Sequence, residues 1–169
     1  VDLLLNDITA QGKSFKDHGE IRVHNEAIKY AEEAVKDNIS LTEHLIRGLH
    51  QLILKEPYET DAITSDGQKT KKKVELGKYK TQSNSVRTPT GEMFYFAKPE
   101  ETAAKMHDLV DWFREEEQNP DVNPIILAAT FHHRFILIHP FDDGNGSIFD
   151  LNIGMVHVSP DAIDFIDFY

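Results

Sequence analysis

The chain has 169 residues and a formal net charge of −11, from 18 Lys and Arg against 29 Asp and Glu, and contains no cysteine. Its length suits one domain with a sizeable core, and the missing cysteine excludes a disulfide framework, cysteine-ligated zinc or iron–sulfur centres and a thiol nucleophile. No apolar run approaches the ~18 residues that span a bilayer, and an acidic surface repels phosphate backbones, so neither a membrane nor a nucleic acid is expected as partner. No basic stretch precedes a short apolar one after Val1, so no signal peptide is visible and the cytoplasm is the expected compartment.

Charge is unevenly spread. Seven of the 18 basic residues fall between Lys69 and Arg87, whereas no Lys or Arg follows Arg134, and six acids do.

In chain order, Ile21, Ala27, Ile28, Ala31, Ala34 and Val35 recur at three- and four-residue steps, which predicts an amphipathic helix from Glu20 to Lys36, ended by Asp37-Asn38. Ser40 stands three residues before Glu43, the spacing of a capping box, and Leu41, Leu45, Leu49, Leu52 and Ile53 give the next helix a buried stripe up to Pro57. Residues 58–97 have no helical period. Within them, Thr88-Pro89-Thr90-Gly91 between Ser85-Val86-Arg87 and Met93-Phe94-Tyr95-Phe96 reads as two short strands and a tight turn. Pro99-Glu100-Glu101 opens a third helix with Ala103, Met106, Leu109, Val110 and Phe113 as its inner stripe. Asn123-Pro124 opens a fourth, from Ile125 to Ile138, apolar nearly all round and so expected at the centre of the core. It must end at His139, because Pro140 forces the preceding residue out of the helix.

The next eight residues, His139-Pro140-Phe141-Asp142-Asp143-Gly144-Asn145-Gly146, concentrate chemistry. A histidine at a helix mouth is mostly neutral near pH 7 and can serve as a general base. A carboxylate beside it offers a hard oxygen to Mg²⁺, and Gly-Asn-Gly lets backbone amides turn outward as an anion cradle feeding a new helix. Singly, each element has a plainer role as cap, turn or core anchor; a plain turn does not need all of them within eight residues.

These eight residues resemble the signature of Fic-domain proteins, HPFx(D/E)GNGRxxR, at its first eight positions. Asn25 to Tyr30, Leu41 to Ile46, Gly77 to Lys80, Tyr95 to Ala97 and the Pro124 to Ile138 segment fall where Fic domains carry similar residues, so the resemblance covers roughly residues 20 to 146. It implies a single Fic domain over residues 1–169, all-α, a helical bundle with a small β-hairpin flap over the active-site loop. Its parts would be N-terminal helices at 20–56, a loop and flap at 58–97, core helices at 99–138, the loop at 139–146 and truncated or gapped C-terminal helices at 147–169. The activity implied is transfer of AMP from ATP to a Ser, Thr or Tyr hydroxyl of a target protein. His139 would be the base and Asp143 would hold Mg²⁺. Phe141, Asp142, Gly144, Asn145, Gly146 and Ser147 would form the nucleotide site, with Phe141 packing inward to fix the loop. The flap residues Val86, Arg87, Thr88, Gly91 and Tyr95 would hold the target as an extended strand. Oligomeric state stays open, with a homo-oligomer among the options.

The resemblance breaks at Ser147 and Asp150, where the family carries arginines. Either the domain is a degenerate Fic protein that binds a nucleotide or a protein partner, or the segment after Gly146 joins across missing residues; the second reading is preferred. A serine hydroxyl cannot replace a guanidinium's bidentate bonds to phosphate, and arginines in such roles are worth ~10³–10⁵ in rate. No (S/T)xxxE(G/N) segment, the family's inhibitory motif, occurs in these residues. A rival enzyme class is a metal-dependent hydrolase using His132, His133, His139, Asp142 and Asp143, although neighbours 132 and 133 point about 100° apart on a helix. The lysines from Lys69 to Lys73 read as a solvated face, with an acidic partner as the alternative.

Overall fold

A computed structural model describes residues 15–63 and 68–148, with side-chain burial described for residues 25–62 and 68–148. Four helices carry the fold: α1 (Phe15–Lys36), α2 (Glu43–Leu54), α3 (Pro99–Glu117) and α4 (Pro124–Ile138). Between α2 and α3 lie two antiparallel hairpins, β1 (Tyr58–Ile63) with β2 (Lys69–Val74), and β3 (Ser85–Arg87) with β4 (Met93–Tyr95). A further helical turn begins at Asn145 and runs through Ser147 to Ile148. Asp150 and the expected C-terminal helices lie outside the described residues.

Local chemistry sets the helix ends. Asn38, at φ 54°, takes the left-handed position after α1, and the Ile39 amide reaches back to the Ala34 carbonyl at 2.8 Å, closing the helix C-terminus. The cap of α2 is Thr42 and not the expected Ser40: its Oγ1 accepts from the Leu45 amide at 3.1 Å. A helix beginning at Glu43 needs its cap immediately before it, and Ser40 stands too far upstream. Asn123 caps α4 by accepting from the Ile125 amide at 2.9 Å.

The core is built where the helices pack together. Ala27, Ala31 and Ala34 of α1 bring that helix close to Leu45, Ile46 and Leu49 of α2, while Met106, Leu109, Val110 and Phe113 of α3 meet Leu127, Phe131, Phe135 and Ile138 of α4. Phe113 and Phe131 meet edge to face, centroids 5.2 Å apart, the geometry that aromatic quadrupoles favour. On α3 the buried position near the start is Thr102 and not Ala103, which is exposed. Thr102 can be buried because its hydroxyl donates to the Lys98 carbonyl.

Helix α4 is not enclosed on all sides. Ile125 and Ile126 are 55% and 62% exposed and Leu137 is 43% exposed, so one face packs and the other looks out from the described residues. Composition alone gave no period to separate those faces. A further departure from expectation is the β1–β2 hairpin, whose register pairs Tyr58 with Val74 and Ile63 with Lys69. Its trace in the sequence is faint: Asp66-Gly67 is a turn dipeptide, but Lys69 to Val74 is nearly all polar and carries no alternation.

The two faces of α4 differ in a measurable way. Phe131→Ala should cost about 3–5 kcal/mol through lost burial and a cavity. Ile126→Asn should cost about 0.5 kcal/mol or less. Urea unfolding midpoints of the two variants check the assignment, and a large loss at Ile126 would contradict it.

Candidate active site

His139 sits where α4 stops. It adopts the left-handed conformation, φ 50° and ψ 63°, with its amide still bonded to the Phe135 carbonyl at 2.8 Å. The carbonyls around this exit are satisfied from elsewhere in the chain: Leu137 O accepts from the Ala97 amide, Ile138 O from Lys80 Nζ, and Pro140 O from the Lys80 amide. The imidazole stacks on Phe96, centroids 4.1 Å apart and planes 15° apart. Burial, reinforced by the charges of Lys80 and Lys72 and opposed by Asp143, lowers its pKa from 6.5 to about 4. At neutral pH it is therefore an uncharged imidazole able to accept a proton.

After His139 the loop is folded by its own members. The side-chain oxygen of Asn145 accepts from the Phe141 amide and its nitrogen donates to the Phe141 carbonyl, both at 2.9 Å, which closes a tight ring over residues 141–145. Asn84 adds a second donor to the same carbonyl. Phe141 is fully buried and stacked on His50 at 4.0 Å. His50 has a single tautomer consistent with its contacts: Nδ1 accepts from the Gly77 amide, so Nε2 carries the proton and donates to the Asp143 carbonyl. Burial holds its pKa below the ordinary histidine value. Gly144 takes φ 74°, which a side-chain-bearing residue would resist, and turns the chain into the helical start at Asn145. Gly146, an exposed residue, and its neighbours lie in the first turn, where helical amides lack intrahelical partners.

The two adjacent acids are divided between different tasks. Asp142 is held by Lys72 of β2, Nζ to Oδ1 2.5 Å, with the two side chains only 9% and 11% exposed; Lys72 also donates to Asn84. Asp143 is exposed. Its Oδ2 accepts from the Tyr58 hydroxyl of β1 and its Oδ1 from the Gly144 amide, leaving acceptor capacity on both oxygens. Burial first, then the hydrogen bond and charge of Asp143, raise the Tyr58 pKa, so it remains a donor. A single exposed carboxylate fits Mg²⁺, which needs only one or two when substrate phosphates complete its shell. Among the described residues, no group of three or more His, Asp and Glu is placed to hold a metal, so the hydrolase arrangement with His132 and His133 finds no site.

The β3–β4 hairpin pairs Ser85 with Tyr95 and Arg87 with Met93 and exposes all six residues. Gly91 turns it with φ 90°, Thr88 is bonded through amide and hydroxyl to Glu92, and Arg87 donates to the Gly91 carbonyl. Val86 and Tyr95 are 49% and 69% exposed, and the strand leads directly into Phe96 on His139. The structure thus brings the hairpin's root to the candidate base. It also recruits residues that sequence reasoning passed over: His50, Tyr58, Lys72, Lys80, Asn84 and Phe96. The Lys69–Lys73 cluster was visible, but only strand alternation separates half-buried Lys72 from Lys71 and Lys73, which stay exposed and pair with Glu59 and Glu75.

A family model described as Fic/DOC family matches residues 40–149. The chain is 26% identical over 160 residues to a Caenorhabditis elegans protein named protein adenylyltransferase fic-1, covering 91% of this chain and 27% of that protein. It is 28% identical over 144 residues to a Drosophila willistoni protein adenylyltransferase Fic, covering 85% and 25%. Among solved structures, a Fic domain containing signaling protein from Bacteroides thetaiotaomicron superposes with a TM-score of 0.75 at 38% identity, covering 92% of this chain and 53% of that one. A C. elegans Fic-1 fragment superposes with a TM-score of 0.63 at 24% identity, covering 91% and 40%, which bears on fold alone. The chain spans about a quarter of the named relatives' length and about half of the bacterial structure. With about two thirds of its residues matched by the family model and its fold shared with these structures, the chain belongs to the Fic/DOC family.

Proposed function

We propose that the chain is a single Fic domain that transfers AMP from ATP to a hydroxyl of a target protein. The observation that carries this reading is a neutral, partly buried His139 fixed at the mouth of α4, four residues before Asp143 and six before the first residue of the next helix. The adenylyltransferase names of the relatives support it. His139 accepts the proton of the target's Ser, Thr or Tyr hydroxyl as that oxygen bonds to the α-phosphorus, and the bond to the β-phosphate breaks to release pyrophosphate. The amides of Asn145, Gly146 and Ser147 are the candidate donors to the phosphates, with Gly144, whose own amide is bonded to Asp143, turning the chain toward them. Asp143 would hold Mg²⁺, which when bound neutralises phosphate charge. Asp142 and the Asn145 side chain serve the nucleotide indirectly, by fixing the loop, since both are engaged within the protein. The exposed β3–β4 edge with Val86, Arg87, Thr88 and Tyr95 would receive the target as an added strand.

Ser147 favours a second reading, a nucleotide- or protein-binding domain with weak transfer. Its position in the first turn of the helix is where a side chain would meet phosphates, and it offers only a hydroxyl.

Incubation with labelled ATP, Mg²⁺ and a protein mixture separates the readings. Label should pass to protein and be lost with His139→Ala; transfer unaffected by that change rules out His139 as base, and no transfer from the wild type leaves the binding domain. Ser147→Arg should raise the rate by about tenfold or more, as phosphate-binding arginines do; an unchanged rate means that the phosphates lie elsewhere.

The pH dependence follows from the lowered histidine. The acid limb of kcat/KM should lie near pH 4 and not near 6.5, because only the neutral imidazole accepts the proton. Between about pH 6.5 and 4 the unfolded chain binds more protons at this site than the native one, so stability falls on acidification through that window. His139→Gln should flatten the fall in thermal midpoints; an identical pH profile in the variant would refute the native-state shift.

A further inference from the structure

The chemistry assigned above leaves one unusual group without a task. Lys80 is 3% exposed, and a lysine is almost never so buried unless its charge is met. Its Nζ donates to the Ile138 carbonyl at 2.8 Å and its backbone amide donates to the Pro140 carbonyl at 2.8 Å. These acceptors stand immediately before and after His139 in the chain. One residue therefore grips the backbone on both sides of the imidazole, at a position whose left-handed conformation costs a non-glycine residue ~1–2 kcal/mol and needs outside support.

Helix α4 has no cation of its own for this purpose. Its last turn contains no basic residue, and Arg134 is stacked over Trp112 at 3.9 Å. Lys80 supplies from a distant segment the positive charge that a helix C-terminus favours. The charged groups facing His139 are Lys80 from the segment after β2, Lys72 from β2 and Asp143 from the loop; the Phe96 ring beyond β4 adds none. Both lysines oppose protonation of the imidazole, and Asp143 favours it. Burial and the nearby Lys72 lower the Lys80 pKa only to about 8, so Lys80 remains charged throughout the range in which His139 titrates.

We propose that Lys80 is the positioning residue of the candidate base: it fixes the chain on both sides of His139 and keeps a positive charge near the imidazole. The proposal rests on His139 acting as base, but its central test does not require activity. The Lys80 amide bond to Pro140 survives any side-chain change, so substitution isolates the ammonium. In the full chain labelled for histidine NMR, with the His139 signal identified by its loss in His139→Ala, Lys80→Met should raise the His139 titration midpoint by about half a unit or more. The rise is partial because burial remains. The acid limb of kcat/KM should move up with it, and kcat/KM near neutral pH should fall about tenfold as the imidazole loses its fixed orientation. Lys80→Arg keeps charge and donors and should hold the midpoint within about 0.2 unit of wild type. A folded Lys80→Met variant with an unmoved midpoint overturns the proposal, as does a folded Lys80→Arg variant with a midpoint displaced upward by half a unit. Activity that survives His139→Ala overturns the base reading instead, and the NMR midpoints still decide whether Lys80 controls the imidazole.

Discussion

A helix that stops against a proline leaves its last carbonyls without amide partners, and the way this chain satisfies them fixes where the His139 imidazole points. Leu137, Ile138 and Pro140 each receive a donor from the segment between β2 and α3. Phe96, next to one of those donors, closes over the imidazole. Satisfying the helix end and orienting the candidate base are thus one structural event. The same burial and charge that hold the ring also keep it neutral.

The loop beyond depends on this anchor and adds its own closure. Asn145 spends both ends of its amide on the Phe141 backbone, so the turn is held by hydrogen bonds rather than by packing alone. Phe141 then fills the space against His50, which ties the loop through the Asp143 carbonyl to the turn at Gly77. Such a network holds the loop in one arrangement up to the start of the next helix.

The β1–β2 hairpin resolves a problem that the sequence creates. Adjacent carboxylates at 142 and 143 repel, and a loop carrying both would be poorly defined. Lys72 takes Asp142 into a nearly enclosed pair, while Tyr58 on the partner strand orients Asp143 with a neutral donor and leaves it exposed. One acid becomes structural and the other remains available to a cation. Net charge was a weak guide here. The stretch after Arg134 has no cation, and the segment from Lys69 to Arg87 brings two lysines inward to the site.

Sequence by itself determined the helices with clear apolar periods, the Ser85–Tyr95 hairpin and the run from His139 to Gly146, because propensity, turn residues and spacing act locally. It located Phe141 as an anchor and the end of α4 at His139 for the same reason. Only tertiary structure decided which face of α4 is buried, since a helix apolar nearly all round carries no period. It alone decided that Asp142 and Asp143 separate, that Lys72 and Lys80 turn inward among otherwise exposed lysines, and that His50, Tyr58 and Phe96 reach the loop. Those contacts join residues up to 93 positions apart, and a long-range pairing leaves no trace in the pattern of either partner.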